Sequence, residues 1–326
     1  MVLPLLFAGT PEVAVPSLRL LAEDHEHFDV RAVLTRPDAP TGRGRKLVQS
    51  PVKQAALELG LPVWQSDPSE EELFIKQLKD SGIKAAAVVA YGKILREPVL
   101  NALPLGWYNL HFSLLPQWRG AAPVQRSIWA GDDVTGATVF RITKGMDSGP
   151  ILSQYTTKIG SHETSGDLLK RLSLDCAPLL CTSLKGVESG TIIPIEQPLG
   201  SYEVAQKITV EDAHIRFDIP AFALDRQIRA CTPNPGAWCN LVDTTHNESE
   251  LKLHIIKCAL ADNNDLQKRG VVNLLPGRLF IDKHHVWVGT SNGVLELLEV
   301  KAQGKKSMNA ADWARGAHLS DQAHCE

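Results

Sequence analysis

Residues 85–90 read Ala-Ala-Ala-Val-Val-Ala, a run with no polar interruption. It is too short for an ordinary helix and lacks the alternation of a strand with one wet face. It predicts a strand covered on both sides, as in the interior of a parallel sheet. On the N-terminal side, residues 69–81 predict a helix, with Ser69 and Glu72 spaced as a capping box. Before it come a short strand at 61–65, a helix at 51–59 stopped by Gly60, and a strand at 29–35. Residues 12–22 predict a helix, with Thr10 as N-cap and Pro11 as first helical residue. Residues 2–8 form the first apolar strand. On the C-terminal side, strands are predicted at 107–111, 137–142 and 151–155, with a helix through Ala130. Strands alternating with helices predict an α/β fold, a Rossmann-like, doubly wound, mostly parallel sheet.

Residues 164–189 carry the longest helical pattern, ended by Gly190. Residues 191–208 hold Pro194, Pro198 and Gly200 with little periodicity and read as a linker. A helix at 220–230 is followed by short alternating segments at 237–242, 251–258, 278–281, 286–290 and 294–300, separated by glycine or polar turns. That texture predicts a small OB-like β-barrel. The division expected is a first domain over 1–192, a linker over 193–208 and an OB-like domain over 209–326.

The 326 residues are 44% hydrophobic and 22% charged, a globular composition that excludes intrinsic disorder and collagen-like repeats. No apolar stretch is long enough to span a membrane. Residues 2–8 lack the preceding basic residues and the following cleavage site of a secretion signal, so a cytoplasmic protein is expected. Cys176, Cys181, Cys231, Cys239, Cys258 and Cys325 form no CxxC pair and predict reduced thiols, with no metal site. The net charge of -3 gives no globally basic surface. Residues 209–326 hold 13 Lys and Arg against 15 Asp and Glu, a balance of -2. Nucleic-acid contact therefore needs local patches.

The first strand ends in Gly9-Thr10-Pro11, which is not the dinucleotide fingerprint, and there is no P-loop. The polar chemistry gathers between residues 109 and 151. Asn109 and His111 lie two positions apart at a strand end, where open α/β sheets bind ligands. A turn-rich Ser113-Leu114-Leu115-Pro116 follows, then Trp118-Arg119-Gly120-Ala121-Ala122-Pro123. Beyond the next strand, Gly145-Met146-Asp147-Ser148-Gly149 places Asp147 where it can project into the same crevice. Alone, His111 can be a hydrogen-bonded histidine at a core edge, and Asp147 a turn aspartate. Together the three make an oxyanion donor pair with an acid–base partner.

Asn-x-His, Ser-Leu-Leu-Pro, Arg-Gly, Pro-Val-Gln and Gly-Met-Asp-Ser-Gly-Pro-Ile resemble the 10-formyltetrahydrofolate-dependent formyltransferases, in order along essentially the whole chain. The segments at 35–47 and 304–316 resemble the members of that family that act on initiator methionyl-tRNA. Gln117 departs from the pattern, standing where many members carry a basic residue. The resemblance implies Asn109, His111 and Asp147 as catalytic groups. It implies 10-formyltetrahydrofolate as formyl donor and no metal. It places the folate beside Tyr91, Gly92, Ile94 and Leu95 and beside Ser113, Leu114, Leu115 and Pro116. It makes the glycine- and proline-rich segment with Arg36, Arg43, Arg45 and Lys46 an acceptor-stem contact, Arg43 matching best. Lys305 and Lys306, in a turn after Gly304, are candidate tRNA contacts of the OB-like domain. A sugar-amine formyltransferase using the same folate and the same three residues is the alternative. The basic segment and the Gly-Lys-Lys-Ser-Met stretch argue against it. A non-enzymatic RNA-binding protein does not account for the three polar groups.

Overall fold

The computed structural model describes residues 2–41, 46–243, 251–271 and 273–326. The chain folds as two compact units. The first comprises residues 1–123, 134–158 and 169–205; the second comprises 124–133, 159–168 and 206–326. Two segments from the first half of the sequence thus belong to the second unit.

The elements up to the end of the first sheet are β1 (Leu3–Gly9), α1 (Val15–Glu23), β2 (Phe28–Leu34), β3 (Ala39–Thr41), β4 (Lys46–Val48), α2 (Pro51–Glu58), β5 (Val63–Trp64), α3 (Glu71–Asp80), β6 (Ala85–Val89), α4 (Glu97–Leu100), β7 (Gly106–His111), β8 (Arg119–Gly120), α5 (Pro123–Ala130), β9 (Val134–Arg141) and β10 (Ile151–Lys158). The sheet order is β10-β9-β7-β6-β1-β2-β5. The pairs from β5 through β7 are parallel, and β9 and β10 add antiparallel pairs at one edge. Every residue of β6 is buried, as its unbroken apolar run requires. On one face of the sheet, Leu6, Ala8, Leu34, Val88 and Trp107 pack with Phe74 and Leu78 of α3.

The remaining elements are α6 (Ser165–Asp175), α7 (Ala177–Ser189), β11 (Val204–Ala205), α8 (Ala221–Cys231), β12 (Trp238–Val242), β13 (Leu251–Leu260), α9 (Asn263–Lys268), β14 (Leu279–Ile281), β15 (Val286–Gly289), β16 (Val294–Ala302), β17 (Met308–Asn309), α10 (Ala310–Ala317) and β18 (His324–Cys325). The second unit carries the order β14-β15-β16-β13-β12-β18, with β17 against β16. The two ends of this antiparallel sheet approach each other: Arg278 bridges His324, and the Cys325 N–H donates to the Gly277 carbonyl at 2.8 Å. The result is a nearly closed barrel, with α8 lying against β13 and Leu224, Ile228, Leu253 and Ile255 fully buried.

Several sequence expectations change. The helix expected over 164–189 is two helices broken at Cys176. Pro178 lacks an N–H and its ring would strike the carbonyl four residues back, so one continuous helix cannot form. The capping box at Ser69 is absent: α3 begins after Glu70, and the Ser69 N–H donates to Asp67 Oδ1 at 3.0 Å. Thr10 does not cap a helix; its hydroxyl donates to the Tyr91 carbonyl at 2.9 Å, tying the end of β1 to the segment after β6. Within the glycine- and proline-rich segment, β3 pairs antiparallel with β4. The stretch read as a linker is paired along part of its length: Ile195 bridges Ile151, and β11 runs parallel to β8.

Candidate active site

The C-terminal ends of β1, β6 and β7 lie side by side, so the segments that leave them frame one crevice. A cleft of about 610 Å³ opens there, within the first unit. Asn109, His111 and Asp147 all line it. β7 supplies the first two, two positions apart on the same strand face. Asp147 comes from the turn after β9, with φ 47°.

His111 is 5% exposed. Its Nε2 lies 2.9 Å from the Trp118 carbonyl oxygen. A carbonyl can only accept, so Nε2 carries the proton and the neutral ring keeps its lone pair on Nδ1. Nδ1 lies 3.8 Å from Asp147 Oδ2. Burial pushes the imidazole pKa below its ordinary value of 6.5; the Asp147 carboxylate and the Trp118 carbonyl oppose that shift without overcoming it. The edge of the ring meets Phe140 at 6.3 Å between centroids. Asn109 is half-buried, and its amide makes no hydrogen bond among the described residues.

Asp147 is itself held. Its Oδ2 accepts from the Gly120 N–H at 2.8 Å. Gly120 has φ 123°, and a Cβ there would stand 2.7 Å from the Ala205 carbonyl oxygen, so only glycine lets β8 run against β11. Gln197 donates to the carbonyls of Asp147 and Gly149, both at 2.8 Å. Nothing in the sequence singles Gln197 out of an aperiodic, proline-flanked stretch. No pattern pointed to the Trp118 carbonyl or the Gly120 amide either, since backbone groups carry no residue signature.

Tyr91, Gly92, Ile94 and Leu95 line the same cleft. Tyr91 is buried, its hydroxyl has no partner among the described residues, and burial pushes its pKa up to about 12. Ile94 is 91% exposed and Met146 63%, two apolar side chains left open at the rim. Ser113, Leu114, Leu115 and Pro116 are not among the lining residues. Ser113 donates to the Gln117 carbonyl at 2.8 Å, and Leu115 N–H donates to Thr138 Oγ1 at 3.0 Å, so this segment forms a hydrogen-bonded turn with Ser113 and Leu115 buried. Gln117 accepts from the Glu203 N–H at 3.3 Å.

Arg36 is exposed and passes beside Gly92, where a Cβ would meet its Cδ at 3.7 Å. Arg43, Arg45 and the side chain of Lys46 lie outside the described residues. Lys305 and Lys306 are exposed after Gly304, whose φ is 74°, and line a second cleft of about 910 Å³ in the second unit together with Lys252 and Trp313. Among the described residues no group of three His, Cys, Asp or Glu is placed to hold a metal, and no helix is long and apolar enough to cross a membrane.

Residues 3–179 match the formyl transferase family and residues 207–318 match the formyl transferase C-terminal domain. A crystal structure of the N-formyltransferase from Helicobacter canadensis, in complex with folinic acid and dTDP-3-aminofucose, has a TM-score of 0.62 at 19% identity, covering 91% of this chain and 99% of that one. That likeness is one of fold. The chain is 48% identical to the methionyl-tRNA formyltransferase of Streptomyces avermitilis, over 97% of each. It is 67% identical to that of Bifidobacterium adolescentis, over 99% of this chain and 100% of the relative. At that identity over its full length, the chain belongs to the formyl transferase family, among its methionyl-tRNA formyltransferases.

Proposed function

We propose that the cleft transfers the formyl group of 10-formyltetrahydrofolate to the α-amine of methionine on initiator methionyl-tRNA, by direct attack of the amine on the formyl carbon, in the cytoplasm. The observation that carries this reading is the convergence of Asn109, His111 and Asp147 at the end of β7. Attack places negative charge on the formyl oxygen, and the unpartnered amide of Asn109 supplies an N–H donor; one such donor is worth roughly 3 kcal/mol in the transition state. The attacking amine loses a proton as the carbon–nitrogen bond forms. His111, neutral and with its Nδ1 lone pair free, accepts it. The imidazolium then faces Asp147 across 3.8 Å and carries an N–H on Nδ1. That N–H stabilises the oxyanion and returns a proton to the departing folate nitrogen. Nε2 is engaged by Trp118, so the His111 donor at Nδ1 arises with the proton taken from the amine.

The folate is read beside Tyr91, Gly92, Ile94 and Leu95, where Ile94 and Met146 offer apolar cover to a flat ring. Ser113, Leu114, Leu115 and Pro116 are read as further folate contacts, and their turn also fixes the backbone that carries His111 and Trp118. Arg36, Arg43, Arg45 and Lys46 are read as acceptor-stem contacts. Lys305 and Lys306 are read as contacts of the OB-like domain, taken as residues 209–326 after a catalytic domain over 1–192 and a connecting stretch over 193–208. No metal takes part. The deciding experiment follows the formyl label from 10-formyltetrahydrofolate into charged initiator tRNA, with a 4-amino-4-deoxy sugar nucleotide as parallel acceptor. Label in the sugar and none in the tRNA overturns the reading.

A further inference from the structure

Gln197 lies outside every helix and strand, in the stretch between α7 and β11, yet it is 8% exposed. Both of its ends are engaged. Nε2 donates to the Asp147 and Gly149 carbonyls, each at 2.8 Å, and Oε1 accepts from Arg119 Nε at 2.9 Å and Nη2 at 2.6 Å. The orientation is dictated by the partners: turned over, the amide would set its oxygen against two carbonyls and its NH₂ against a guanidinium. The guanidinium of Arg119 also lies 5.9 Å from the Tyr202 ring. The turn that Gln197 grips carries a residue in a disfavoured backbone region. Asp147 has φ 47°, a region disfavoured for a residue with a Cβ, and its carboxylate accepts from the Gly120 N–H at 2.8 Å.

We propose that Gln197, braced by Arg119, is the positioning residue that keeps the Asp147 carboxylate opposite Nδ1 of His111. The inference rests on the reading of Asp147 as a member of the reacting site. Gln197 bonds the Asp147 and Gly149 backbone and the Arg119 side chain and does not line the cleft, and therefore acts on the chemical step through Asp147 and not on substrate affinity. A displacement of about an ångström at such a group costs on the order of 100-fold in rate.

The test compares Gln197→Met, Asp147→Ala and the double variant in the formyl-transfer assay, with thermal denaturation of each. Methionine keeps the length and removes all four hydrogen bonds. Gln197→Met is expected to lower kcat by about 10-fold or more while KM for folate and for tRNA stays within about twofold, because only positioning at the reacting atoms is lost. In the Asp147→Ala background the same change is expected to cost nothing further, since the group it positions is gone. Gln197→Glu, which keeps the Arg119 partner but sets an oxygen against the two carbonyls, gives the same pattern should the methionine variant fold poorly. A normal kcat in a folded Gln197 variant, with Asp147→Ala impaired, overturns the positioning role and leaves the reading of the site standing. Equal losses in the presence and absence of the Asp147 carboxylate overturn it as well, pointing to a structural role. A normal kcat in Asp147→Ala overturns both the reading of the site and the inference built on it.

Discussion

His111 is neutral at rest for a physical reason, burial, and has its tautomer set by a carbonyl. On the proposed mechanism, activity needs the deprotonated ring. The acid limb of kcat/KM is expected to lie below pH 6.5, since burial lowers the pKa from that value. Asp147 holds the pKa up, so Asp147→Asn should move the limb further toward acid. A pH–rate series on wild type and variant decides it; a limb that moves toward neutral pH refutes the arrangement. Asn109→Ala, His111→Ala and Asp147→Ala are each expected to lower kcat by about 100-fold or more in protein that folds normally. A residue whose removal leaves turnover near normal has no part in the chemistry. That these three residues meet in one cleft was legible in the sequence, because two polar residues two apart at a strand end, and an aspartate between glycines past the next strand, face the same crevice. Gln197 was not, because a buried glutamine among prolines looks like any polar residue in a loop until its three partners are known.

At the level of elements, the parallel strands were legible from their apolar runs and the barrel strands from their alternation, because each pattern follows from which faces are covered. The β8–β11 pair was not: each strand has two residues, and nothing local announces a partner more than eighty positions away. That small ladder fixes Gly120, and through its N–H the carboxylate of Asp147. Gly120→Ala should destabilise the fold by roughly 1–3 kcal/mol through strain at a positive φ. It should also lower kcat, read against Tm in the same preparation; a variant with unchanged Tm and unchanged kcat contradicts the role given to the pair. The basic segment at 36–46 is predicted from its charge. Arg43→Ala should reduce kcat/KM for tRNA strongly, leave KM for folate little changed, and flatten the log–log salt dependence of tRNA binding by about one unit. An unchanged slope identifies an ordinary solvated surface segment.

At the scale of the whole molecule, the two compact units cross the sequence boundary that composition suggests. The second unit is completed by 124–133 and 159–168. Arg126 Nε donates to the Gln206 carbonyl at 3.0 Å, Ser165 Oγ to the Thr232 carbonyl at 2.8 Å, and Pro233 packs on Gly166. A polypeptide of residues 206–326 alone would leave those partners open and the flank of α8 bare. It is expected to be unfolded or loosely packed, which amide-proton dispersion will report, while adding 124–168 in trans should recover part of the structure. A sharp, fully dispersed spectrum from the isolated fragment contradicts this. The interleaving also sets a schedule. During synthesis the ribosome delivers the stretch around Arg126 long before Gln206, 80 positions later, so those residues wait without their final partners. Closing so wide a loop is slow relative to forming local contacts. Until it closes, the nascent chain exposes α5 and the start of α6, which makes that interval the period in which chaperones and proteases compete for it.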